Sequence, residues 1–148
     1  MRFWPSAALL LLAVGAPAGL RAGTLVIDFE TFPDSTPIAD STPITTQFPG
    51  LTFANTTVIT AGITLNEFEF PPYSGSNVAF DDGGPISVDF GSPVLNFGGF
   101  FTYLEPLTLA AFDASSTQVA SAVSAFSSNL ALSGDPGSSP NEFLSVRF

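Results

Sequence analysis

The chain has 148 residues, thirteen acids, three arginines and no lysine, histidine or cysteine, for a formal charge of −10. Without histidine or cysteine there is no Ser-His-Asp triad, no Cys-His pair, no ordinary zinc site and no disulfide; without lysine there is no Schiff-base chemistry and no lysine-bearing phosphate loop. So acidic a surface repels phosphate backbones and anionic bilayers, which excludes nucleic acid as a partner class and argues against a membrane surface.

The N-terminus has the order of a secretory signal peptide: Arg2, the apolar run Ala7 to Val14, then small residues through Ala16, Ala18 and Ala22. The apolar run is too short to span a bilayer, which takes about 20 residues. Residues 1–22 are therefore expected to be a leader, cleaved after Ala18 or Ala22, with an uncleaved anchor as the alternative. Residues 23–148 then form one domain holding a single cation, Arg147, against all thirteen acids, a charge of −12. About 125 residues bury roughly two-thirds of their extended surface, and the sixteen phenylalanines supply a core.

Leu25 to Glu30 alternates with Leu25, Ile27 and Phe29 on one face and predicts the first strand. Asp34 to Thr46, rich in Ser, Thr, Pro and Asp, reads as an irregular loop. Leu51 to Phe53 and Thr57 to Thr60 read as short strands joined at Asn55, which also opens a glycosylation acceptor pattern. Ile63 to Phe70 changes phase between Leu65 and Phe68, which predicts a strand with a bulge. Pro71 to Asn77 is a loop, and Val78 to Phe80 leads into the centre of the chain.

That centre, Phe80 to Asp113, predicts three strands separated by turn chemistry. Asp81-Asp82-Gly83-Gly84-Pro85 precedes the alternating run Ile86 to Phe90. Val94 to Tyr103 is a longer run with Leu95, Phe97, Phe101 and Tyr103 in phase. Its Gly98-Gly99 pair indicates a bulge or the close approach of another backbone. Leu107 to Phe112 follows the corner at Glu105-Pro106. Gln118 to Phe126 is alanine-rich but lacks helix caps and reads as strand. Gly134 to Pro140 is a loop, and Glu142 to Phe148 is the last strand, ending in mid-pattern as a truncated gene product would. Short strands with turns every 8–12 residues predict an all-β antiparallel β-sandwich, a jelly roll.

The order "IDFETFPDSTPI", "FPGLTFANTTVI", "PISVDFGSPVLNFGGFF", "LTLAAFDASSTQVAS" and "NEFLSVRF" resembles the exported β-sandwich domains of bacterial PEP-CTERM proteins. Those domains look like galactose-binding and carbohydrate-binding jelly rolls. The resemblance covers most of residues 24–148 and lacks the family's Pro-Glu-Pro sorting tail. It implies export from a Gram-negative cell to the outer surface or beyond. It also implies a structural calcium between the start of the domain and its last strand, with Glu30, Asp34 and Glu142 at the matching positions. Calcium suits a chain whose available ligands are carboxylate and carbonyl oxygens.

Two further expectations come from the residues themselves. Sugar rings stack on flat exposed aromatics. Tyr73 in its Pro/Gly loop is the candidate, with Asn77 and Asp82 as hydrogen-bonding partners for an extracellular polysaccharide. The leading expectation is thus a non-catalytic envelope or matrix module with weak glycan binding. Its rivals are a structural or adhesive subunit and a carboxylate-dependent glycoside hydrolase or lyase drawing on Glu67, Glu69, Asp81, Asp82 or Glu105.

Overall fold

In a computed structural model the described residues are 8–11, as backbone, and 23–148. The signal-peptide reading of residues 1–22 lies otherwise outside them. The fold is all-β, without a helix among the described residues. Its strands are β1 (Ala8–Leu11), β2 (Thr42–Pro43), β3 (Leu51–Ala54), β4 (Thr56–Thr60), β5 (Asn77–Asp81), β6 (Ser87–Phe90), β7 (Asn96–Phe101), β8 (Thr108–Asp113), β9 (Gln118–Val123) and β10 (Glu142–Arg147). No described helix is long and apolar enough to cross a membrane.

Three sheets make the sandwich. The largest has the order β3-β6-β1-β8-β9; β10 pairs with β7, and β4 lies between β2 and β5. Every strand pairing is antiparallel except those of β1, which runs parallel to both β6 and β8. One core joins the sheets: Phe53, Val88, Leu109 and Ala111 from the largest, Val58 from the three-stranded sheet, and Leu144 and Val146 from β10. Leu109 and Ala111 are wholly buried, as their shared phase on β8 requires. Around Phe48 the phenylalanines meet edge-on or tilted: Phe29 at 6.1 Å, Phe53 at 5.9 Å and Phe32 at 6.2 Å between ring centroids.

Most of the expected strands form. Gln118–Val123 is strand, not helix, because its ladder with β8 outweighs alanine content. The paired glycines mark a close approach: a Cβ on Gly98 would stand 2.9 Å from the Leu144 carbonyl and from the ring of Phe143, and β7 continues through them without a register shift. Two expectations fail. Residues 24–29 join no ladder; Leu25 and Val26 are 66% and 79% exposed, and Phe29 has φ 62, which breaks an extended run. Ile63 to Phe70 forms turns instead of a bulged strand, closed by Leu65 N–H to Thr60 O and Phe70 N–H to Asn66 O. Its apolar side chains pointed to a ladder, but Ile63 and Phe68 face solvent.

Candidate functional site

The thirteen carboxylates are the chain's dominant charged groups, and most of them hold loops. Glu30 Oε1 accepts from the backbone N–H of Ser76 and Asn77, each at 2.7 Å, which ties the start of the domain to the entrance of β5. Glu69 Oε2 accepts from Leu132 and Ser133 N–H. Asp135 Oδ2 accepts from Ser127 and Ser128 N–H. Asp113 Oδ1 accepts from Ser115 and Thr117 N–H. Asp40 accepts from Thr60 N–H and the Thr64 hydroxyl. With one cation in residues 23–148, backbone amides do the work that ion pairs do elsewhere, and an amide donor favours the ionised form. The Asp34 carboxyl is accordingly lowered by the Thr36 amide, Asp40 by the Thr64 hydroxyl, Glu69 by the Leu132 amide and Asp113 by the Ser115 hydroxyl. A general acid for glycoside hydrolysis needs a carboxyl displaced the other way.

The calcium candidates sit in separate surroundings. Asp34 Oδ1 accepts from Thr36 N–H within its own turn. Glu142 accepts from Ala125 N–H and from the buried Tyr103 hydroxyl. Burial, then the Glu142 contact, raises the Tyr103 phenol above its ordinary 10.0. Among the described residues no three acids converge as a metal group. Of the acids named for a hydrolase pair, Glu67 accepts from Gly62 N–H, Glu69 from the Leu132 and Ser133 N–H groups, and Asp82 from the Thr57 hydroxyl.

Of the three candidate glycan residues, Tyr73 and Asp82 are exposed and Asn77 is not, and Asp82 accepts from the Thr57 hydroxyl. Asn77 is buried, its Nδ2 donating to the Phe29 and Ile38 carbonyls and its Oδ1 accepting from Thr60. Its amide therefore braces the interior. Tyr73 is 61% exposed, and its ring stacks on Phe100 at 3.5 Å with 8° between the planes. Phe100 packs in turn against Phe143 at 5.1 Å and 52°.

Strand geometry explains this face. On β7 the inward side chains are Phe97 and Phe101, and the outward positions are Asn96, Gly98 and Phe100. On β10 Leu144 and Val146 go inward, while Phe143, Ser145 and Arg147 go outward. The register sets Phe100 opposite Phe143, Gly98 opposite Ser145 and Asn96 opposite Arg147. Phe143 reaches over the bare backbone of Gly98, so a glycine in the strand provides the seat for a ring. The outer face is thus an aromatic shelf at one end, with Phe100 43% and Phe143 57% exposed. Hydrogen-bonding side chains, Ser145, Asn96 and Arg147, stand at the other end. Phe100 and Phe143 were readable only from the alternation of β7 and β10; the sequence gives no sign that Tyr73 would fold over onto them.

Family models, curated proteins and solved structures yield no match to this chain.

Proposed function

We propose that this chain is a non-catalytic module of a bacterial envelope or extracellular matrix, exported to the cell surface or beyond, that binds neutral polysaccharide on the outward face of β7 and β10. The observation that carries the reading is the solvent-facing stack of Tyr73 on Phe100 with Phe143 beside it. Beyond their contacts with one another and with Gly98, the three rings keep about half their surface in water, and a sugar's C–H face is a flat apolar partner for such rings. Asn96, Ser145 and Arg147 lie along the same face to meet hydroxyls. A charge of −12 in residues 23–148 repels anionic glycans, which narrows the class to neutral ones. The order of strands and the leader-like N-terminus support the kinship with exported PEP-CTERM β-sandwich domains and hence the location.

Affinity electrophoresis in gels containing neutral glucans, galactans or mannans tests the proposal. The wild type is retarded by at least one of them, and Tyr73→Ala and Phe100→Ala migrate freely while still melting cooperatively as folded proteins. Free migration of the wild type in every gel and on a broad glycan array removes glycan binding from the account.

A further inference from the structure

Two observations about the largest sheet belong together. Its central place is held by β1, Ala8–Leu11, from the segment with the composition of a cleavable leader. Residues 24–29, with the alternation of a strand, stand outside every ladder, and Gly23 to Asp28 have no backbone hydrogen bond among the described residues. We propose that β1 is a placeholder: once the leader is removed, residues 24–28 enter the slot between β6 and β8 and become the central strand of the mature sheet. The inference rests on the leader reading and is independent of the glycan proposal.

Removing β1 alone would strip a ladder partner from both Ser87–Val88 and Ala110–Asp113. Buried backbone groups do not stay without hydrogen-bond partners, so the slot has to be refilled. Polarity favours the replacement. β3 is antiparallel to β6 and β9 to β8, and β1 makes the two parallel pairings of the sheet. A strand running the opposite way would make the sheet antiparallel throughout.

Position favours it too. The Phe29 ring lies 6.3 Å from Phe53. Phe53 is the register partner of Val88, and Val88 that of Leu9. The downstream end of the segment therefore stands two strands from the slot, level with the first half of β6. A chain leading back from there along the length of β6 would run antiparallel to it. Five extended residues reach about 17 Å, against about 10 Å for two strand spacings. Ile27 and Phe29 already touch the core, and Leu25 shares their phase, so insertion would take Leu25 out of water beside Val88, Leu109 and Ala111. In the present arrangement Leu25 to Asp28 instead line a cleft of about 310 Å³ against Phe32 and Phe48. Fixed points remain at Glu30, which its carboxylate binds to Ser76 and Asn77.

The test uses the full chain with a specific protease site inserted after Ala22, folded first and cut afterwards. Amide hydrogen exchange is followed by NMR before and after the cut. In the uncut chain Val26, Ile27 and Asp28 exchange as unprotected amides; after the cut they slow by roughly 100-fold or more, as ladder amides do, and the protein stays monomeric. Val26→Pro, at a residue that is 79% exposed in the uncut chain, removes a ladder donor; it lowers the melting temperature of the cut chain and leaves that of the uncut chain unchanged. Four results overturn the proposal: continued fast exchange of these amides in a folded, cut monomer; a dimer filling the slot with a second copy; a leader peptide that stays bound; and unfolding on cutting.

Discussion

The two faces of the β7–β10 ribbon carry the same residue type to opposite ends. Inward, Phe97 and Phe101 join Leu144 and Val146 against the sheet opposite. Outward, Phe100 lies under Tyr73 with Phe143 beside it, both partly in water. The first pair is bound to the fold by burial; the second is held in place by its neighbours and by the missing side chain of Gly98, yet remains open. A strand's period of two separates a stabilising face from a face left for a ligand.

Substitutions sharpen that contrast. The largest effect is expected inside. Asn129 is wholly buried; it accepts from Tyr103 N–H and donates to the Phe101 and Ser139 carbonyls, locking the exit of β7 to the loop before β10. Asn129→Leu leaves three backbone groups unpaired and should cost about 3 kcal/mol or more in urea denaturation. Leu144→Ala on the inner face should cost about 2–5 kcal/mol.

On the outer face, Tyr73→Ala and Phe143→Ala should change stability by about 1 kcal/mol or less, the scale of an aromatic pair, while lowering glycan affinity about tenfold or more. Gly98→Val should do both: the new side chain displaces the Phe143 ring and presses on the Leu144 carbonyl. Equal stability losses on the two faces would break the comparison.

Acidity gives smaller effects. The carboxyls of Asp34, Asp40, Glu69 and Asp113 are lowered in the folded chain, so their contribution is complete above the ordinary values of 3.8 and 4.5 and is lost as the pH falls through the lowered ones. Melting temperature should therefore hold steady down to about pH 4.5 and decline below it. Tyr103 works at the other end. Its raised phenol favours the neutral folded form, so stability is lost as the pH climbs past 10.0. Glu69→Gln should speed amide exchange at Leu132 and Ser133 with little change elsewhere.

The fold was legible wherever local pattern and long-range pairing agree. Ile86 to Phe90 and Leu107 to Phe112 alternate, and they pair as their alternation requires. Where the two part company, the sequence misleads. Leu25 to Phe29 carries a strand's alternation without a ladder: Phe29 turns to φ 62, and Leu25 and Val26 face solvent. Asn77 looked like a loop residue with a free amide, and only three-dimensional placement turns that amide onto Phe29 and Ile38. Tyr73 was identifiable from its Pro/Gly loop. The shelf it completes depends on a register between residues 100 and 143 that no local pattern encodes.

The role of the outer face can be read from the chain's own two tyrosines, Tyr73 exposed and Tyr103 buried. Their ring-proton NMR signals can be followed while the neutral oligosaccharide of the retarding gel is titrated in. The account predicts saturable shifts at Tyr73, Phe100 and Phe143 with Tyr103 unmoved. Binding that leaves Tyr73 unmoved, or that shifts rings on the inner face alone, would contradict it.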